Sequence, residues 1–132
     1  MVNVKLVNPW KWQDMYGFSQ AIEVQGAKRV VYCAGQTSVD ENGNPMHKGD
    51  IGKQAGKALD NLEAVLKKCG LTLSNIVRLN YYTTDLGAFM NASSVIGPRL
   101  AKAECQPSST LLGVSGLFHP DIMIEIEATA VE

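Results

Sequence analysis

The 132-residue sequence predicts an α+β fold, a mixed sheet with two helices packed on one face. Three observations carry that expectation. Apolar residues recur at steps of three and four from Ile51 to Cys69. Two segments, 76–84 and 122–131, alternate with a period of two. The order of elements then reads ββαβαββ, and helices that all follow or precede strands of one sheet cover one of its faces. The length suits one domain spanning 1–132, with a single core.

Each element has its own local reason. Ala21-Ile22-Glu23-Val24 and Val30-Val31-Tyr32-Cys33-Ala34 are short β-favouring runs, and Gly26 between them suggests a hairpin. Asp40-Glu41-Asn42-Gly43-Asn44-Pro45 reads as a turn, because Gly and Asn tolerate positive φ and Pro45 stops regular pairing. Ile51, Ala55, Ala58, Leu59, Leu62, Val65, Leu66 and Cys69 form one stripe of a helix over about 51–69, with Asp50 as its N-cap and Gly70 as its left-handed end. In the strand that follows, Val77, Leu79 and Tyr81 point one way and Arg78, Asn80 and Tyr82 the other. A second helix is expected from Leu86 to about Lys102, kinked or shortened at Gly97-Pro98. Two strands, near 109–115 and 122–131, finish the chain. On the last of them Glu125 and Glu127 share the face opposite Ile122, Ile124 and Ile126, about 7 Å apart at about 3.3 Å per residue. A half-polar, half-apolar sheet face in so small a chain is expected to be covered by further copies of the chain in a cyclic oligomer.

Composition excludes several function classes. Twelve basic residues against thirteen acidic ones leave no positive field for nucleic acid or anionic membranes. The first ten residues hold Lys5 within a short apolar stretch and no long hydrophobic segment, so neither a signal peptide nor a membrane span is expected, and the protein is expected to be cytoplasmic. Cys33, Cys69 and Cys105 are widely spaced with no CxxC pair, the pattern of reduced thiols rather than a disulfide framework or a metal site. His47 and His119 have no partner at metal-ligand spacing and read as loop residues.

Four pieces of the sequence, taken together, resemble the RidA (YjgF) superfamily. They are Tyr16-Gly17-Phe18-Ser19-Gln20; Ala34-Gly35-Gln36 followed by Asp40 and Gly43; Gln54 to Gly70 with its Leu59-Asp60-Asn61-Leu62; and Pro107 with Ile124-Glu125-Ile126-Glu127-Ala128. The resemblance spans almost the whole chain and implies a chorismate-mutase-like fold and a homotrimer with clefts between subunits. Its best-known members are enamine/imine deaminases that need no cofactor and release a keto acid and ammonia. In that chemistry an arginine clamps the substrate carboxylate bidentately, and a glutamate on the last strand positions or activates water. By motif the glutamate is Glu125. Two positions depart from the pattern: Ser109 stands where the deaminase arginine is implied, and Phe18 where a tyrosine is. Loss of the charged contact costs about 1.5 to 3 kcal/mol in binding.

The residues themselves leave several roles open. Ser108, Ser109 and Thr110 can donate hydroxyls to a carboxylate, or can simply open a strand. No histidine is placed to make a serine nucleophile. Arg78 either supplies the missing positive charge or pairs across the sheet with Glu125 or Glu127. Gly35-Gln36 reads as a tight strand end whose backbone approaches a ligand, since no nucleotide fingerprint is present. Cys105 reads as a half-buried structural thiol, and Glu127 as structural. Three functions are consistent with this pattern. The first is a trimeric hydrolase of small enamines or imines, and the second a non-catalytic protein that binds or senses a small metabolite. The third is an endoribonuclease or translation inhibitor, which the near-neutral charge disfavours.

Overall fold

In the computed structural model, which describes residues 1–132, the chain forms six strands and two α-helices. β1 (Asn3–Val7) and β2 (Ala21–Gln25) pair antiparallel as a small separate sheet, with Leu6 opposite Ile22. β3 (Val30–Thr37), β4 (Ile76–Thr83), β5 (Ser108–Gly113) and β6 (Ile124–Val131) form the main sheet in the order β3-β6-β4-β5. The α+β class and the mixed sheet are as the sequence predicts, since β4 and β5 run parallel and the other neighbours antiparallel.

The hairpin expected around Gly26 does not form. β2 pairs back onto β1, and β3 leaves to pair with β6. The turn itself shows why. Gly26 has φ 73°, and a Cβ there would lie 2.9 Å from the carbonyl oxygen of Met1, so the turn is built against the start of the chain. Beyond it the amides of Lys28 and Arg29 donate to the carbonyl of Glu132, which carries the chain to the end of β6. β1 escapes a burial-based reading because all five of its residues are exposed.

α1 (Ile51–Lys68) follows its stripe closely: Ile51, Ala55, Ala58, Leu59, Leu62 and Leu66 are buried. The Asp50 carboxylate accepts from the amide of Lys53, satisfying one of the first-turn donors that have no partner within a helix. Gly70, at φ 75°, ends it in the left-handed conformation. α2 (Phe89–Lys102) begins later than expected, because Leu86–Ala88 form a 3-10 turn capped by the Asp85 side chain. It also runs through Pro98 to Lys102 instead of stopping there. Arg99, in its last turn, donates to the carbonyl of Gly56 and to Asp60 and Glu63, which locks α2 to α1.

Both helices supply the crossovers that parallel strands require. α1 joins β3 to β4, which flank β6, and α2 joins β4 to β5. Leu59, Leu62 and Leu66 of α1, Ile96 and Leu100 of α2, Leu79 and Tyr81 of β4, and Ile124, Ile126 and Ala128 of β6 share one continuous core. Each large aliphatic side chain buried there contributes about 1.5 to 3 kcal/mol relative to exposure. The other face of the main sheet carries the alternate residues. No helix is long and apolar enough to cross a membrane.

Candidate functional site

Strand register orders the open face of the main sheet into rows. Glu125, Tyr82 and Leu112 are neighbours on β6, β4 and β5; the next row is Glu127, Asn80 and Thr110; the third is Thr129, Arg78 and Ser108. β3 adds Tyr32 beside Thr129 and Thr37 beside Glu125.

Glu125 is fixed by the elements around it. Gln54, fully buried in α1, donates to the carbonyls of His47 and Asp121 and accepts from the amide of Met123, while the Thr83 hydroxyl donates to the carbonyl of Met123. These bonds set where β6 begins. On the other side Asn61 donates to the carbonyls of Thr37 and Val39 and so holds the end of β3. Between Cys33 and Gln36 the β3–β6 register slips, and Gly35 lies directly under the Glu125 carboxyl. A Cβ on Gly35 would overlap Glu125 Oε2 and sit 2.6 Å from its Cδ. The close backbone approach expected at Gly35-Gln36 is therefore made in this chain by a side chain. Burial, then the nearby Glu127 charge, raise the Glu125 carboxyl above the ordinary carboxylate range.

Glu127 has the opposite surroundings. Its Oε1 accepts from the Tyr82 hydroxyl at 2.7 Å and from Asn80 Nδ2 at 3.2 Å. Those two bonds, aided by Arg78, hold it below the ordinary range despite partial desolvation. Arg78 makes neither of the ion pairs expected with Glu125 or Glu127. Its Nη2 donates to Thr110 Oγ1 at 2.8 Å instead, because register places Arg78 beside Thr129 and Ser108 rather than beside a carboxylate.

The remaining expected residues gather at the far end of β5. Ser19 bridges to Ser108, and its amide donates to the carbonyl of Pro107, so Phe18 arrives beside the start of β5. Ser108 spends its hydroxyl on the carbonyl of Val77. Ser109 is in register with buried Leu79, so strand alternation turns it to the opposite side of β5 from Ser108 and Thr110. The expected residues thus fall into two groups, Gly35, Gln36 and Glu125 in one and Phe18, Arg78 and Ser108 to Thr110 in the other. From Glu125 to Ser108 is four residues along and two strands across, about 13 Å by 10 Å, or about 16 Å on the diagonal, at ~3.3 Å per residue and ~4.8 Å per strand.

A cavity of about 430 Å³ exists within the chain, but none of these residues lines it. Tyr81, Phe89, Ile96 and Leu100 form its apolar wall on the helix side. Cys105 also borders it; burial pushes that thiol up to about 11, and its Sγ lies 3.6 Å from the carbonyl oxygen of Ile76, the geometry of an inert structural cysteine. His47 and His119 both lie in loops, and no three His, Cys, Asp or Glu side chains converge as metal ligands. Asn80 and Tyr82 are the site residues that sequence reasoning missed. Alternation already placed them on the polar face, but only the register of β4 against β6 sets them beside Glu127.

Comparison with known proteins agrees with this architecture. The family described as Endoribonuclease L-PSP matches residues 12–132. Protein DfrA of Myxococcus xanthus is 35% identical over 114 residues, covering 86% of this chain and 84% of its own length. The 2-iminobutanoate/2-iminopropanoate deaminase of Homo sapiens is 29% identical over 115 residues, covering 87% and 80%. The crystal structure of YyfB from Yersinia pestis, described as a protein of unknown function of the conserved Rid family, superposes with a TM-score of 0.86 at 32% identity, covering 98% of this chain and 99% of that one. With its two crossover helices on one face of a mixed sheet, a chorismate-mutase-like α+β arrangement, this chain belongs to the RidA (YjgF) superfamily.

Proposed function

We propose that this protein binds a small carboxylate-bearing metabolite in clefts completed by identical subunits of a homotrimer, and that it hydrolyses enamines or imines there. The products are a keto acid and ammonia, and no cofactor takes part. One observation carries the reading: Glu125 stands on the open sheet face with a partly desolvated carboxyl, raised above the ordinary range, that accepts no hydrogen bond within the chain. Its neighbour Glu127, by contrast, is held by two donors. The separation of about 12 Å between Glu125 and Thr110, and about 16 Å to Ser108, is too long for a three- or four-carbon substrate to span. Two copies of the chain, each contributing one group, make a site of the right size. The name of the human relative, a 2-iminobutanoate/2-iminopropanoate deaminase, fits this substrate class. With Ser109 turned to the helix side, Thr110 beside Arg78 takes the place of a guanidinium clamp on the open face, so binding of the carboxylate is weak and turnover is selected for substrates held by other groups as well.

The test supplies freshly generated imines of several amino acids to micromolar protein and follows ammonia release. Acceleration with at least one, falling by about 10² or more in Glu125→Ala, is expected for loss of a general acid/base. No acceleration with any of them sinks the proposal. Light scattering is expected to give three times the 14.3 kDa chain mass, and a monomer is equally fatal.

The absence of an arginine at position 109 favours a second reading, in which the same cleft binds a metabolite without turning it over. Thermal shift separates the two. A specific small carboxylate at 100 times its dissociation constant stabilises by about 2.7 kcal/mol; with that shift and no turnover, the binding reading stands.

A further inference from the structure

Glu125 and Glu127 share one strand and one face, about 7 Å apart along β6, yet their surroundings are opposite in kind. Glu127 Oε1 accepts two hydrogen bonds, from the Tyr82 hydroxyl at 2.7 Å and Asn80 Nδ2 at 3.2 Å. Both are contacts that a carboxylate strengthens and a protonated acid weakens. Glu125 has no such donor and rests over Gly35, where no side chain can come between it and the backbone. The other groups near the pair are few. From β4 come Tyr82 and Arg78, the latter turned to Thr110; β3 contributes Tyr32 beside Thr129; β5 contributes hydroxyls and Leu112 but nothing that titrates. The helices lie against the opposite face. No cation is within ion-pair distance of either carboxylate, and Arg78 acts on Glu127 only from a longer range.

We infer that the two glutamates are a divided pair: Tyr82 and Asn80 favour the anion of Glu127, and Glu127 acts as a positioning residue that adds to burial in favouring the protonated form of Glu125. The opposite directions in which the two carboxyls are displaced, Glu125 up and Glu127 down, agree with that division. The arrangement suits one step of the proposed hydrolysis, on which the functional half of this inference rests. At the stage of the carbinolamine, Glu125 gives its proton to the amino nitrogen. The C–N bond breaks with its electron pair going to nitrogen, and ammonia leaves. The hydroxyl O–H pair becomes the second C–O bond of the keto acid, and that proton returns to Glu125, so the acid is regenerated and no co-reactant is consumed. Tyr82, Asn80 and Glu127 touch neither the nitrogen nor the oxygen in this scheme.

The pair can be tested with or without turnover. Carboxyl carbons of glutamate labelled with carbon-13 are titrated by NMR in the assembled protein, with Glu125→Gln and Glu127→Gln to assign them. Two separate transitions are expected, Glu127 below Glu125. Glu127→Gln keeps the bulk and an oxygen that accepts from Tyr82, and should move the Glu125 transition down; Tyr82→Phe should move the Glu127 transition up and narrow the gap. If Glu125 titrates unchanged in Glu127→Gln, or the two carboxyls exchange order, the inference is overturned. Where hydrolysis is measurable, the alkaline limb of its pH profile should shift to lower pH in Glu127→Gln, with substrate KM little altered. A protein with no hydrolysis but with the titration shifts intact refutes the proposed reaction alone and leaves the divided pair standing.

Discussion

The two faces of β6 are built from alternate residues of one eight-residue strand, but only one of them is covered by the rest of the chain. Ile124, Ile126, Ala128 and Ala130 are at most 2% exposed and pack beneath both helices. Glu125, Glu127 and Thr129 are half-buried on a face that no other element of the chain covers. Polar groups there are left over: the Glu125 carboxyl is partly desolvated with no donor in the chain, and Asn80 Oδ1 is buried without a partner. The buried, unpaired Asn80 Oδ1 alone costs the fold about 1 to 3 kcal/mol. The apolar face carries stability and, under the proposed function, the polar face carries the chemistry, and substitutions on the two should separate accordingly.

The largest effect is expected on the apolar face. Ile126→Ala removes a fully buried side chain from the centre of the core and should cost about 2 to 5 kcal/mol, read as a lowered urea midpoint. Ligand binding at the polar face should survive wherever the variant remains folded. A loss of binding larger than the unfolded fraction explains would break the separation of the two faces.

Gln54 sharpens the comparison, because it is the polar exception on the helix side. Its amide satisfies two carbonyls and one backbone amide around the entry to β6. Gln54→Leu strands all three groups and should cost about 1 to 3 kcal/mol. Unlike Ile126→Ala it should also loosen segment 119–123, visible as faster amide exchange at Met123. Stability loss without that local loosening would mean that Gln54 acts by packing alone.

How much of this was legible beforehand divides along the same line. The apolar stripe of α1 and the alternation of β6 come from local periodicity, and both appear nearly as expected, with Asp50 and Gly70 at the helix ends. Pairing is not local. β2 and β3 each look like a strand, but the choice of β1 and β6 as their partners depends on Gly26 packing against Met1 and on the Glu132 carbonyl receiving Lys28 and Arg29, contacts 25 and about 100 residues apart. The site shows the same limit. Alternation puts Glu125 and Glu127 on one face, and the motif singles out Glu125. Which of them carries hydrogen bonds is decided by Asn80 standing opposite Glu127, and no property of either segment alone sets that register. Arg78 misses both carboxylates for the same reason.

The smallest effect concerns pH, and its sign is determined by the polar face. The Glu125 carboxyl sits above its ordinary value of 4.5 in the folded chain. Below 4.5 it is protonated in both states and contributes no pH dependence. As pH rises past 4.5 the unfolded chain ionises first while the folded chain still holds the proton, so stability falls until the higher folded value is passed. Glu127 works in reverse: its stabilisation is present above 4.5 and is lost as pH falls through its lower folded value. Comparing wild type with Glu125→Gln at each pH cancels most of the Glu127 contribution. The variant should therefore gain on wild type as pH increases from 4.5, then level off, in urea unfolding followed across that range. A difference that shrinks instead would mean that the folded state stabilises the Glu125 anion. Glu125 would then be a paired structural carboxylate like its neighbour, and the contrast between the two positions would disappear.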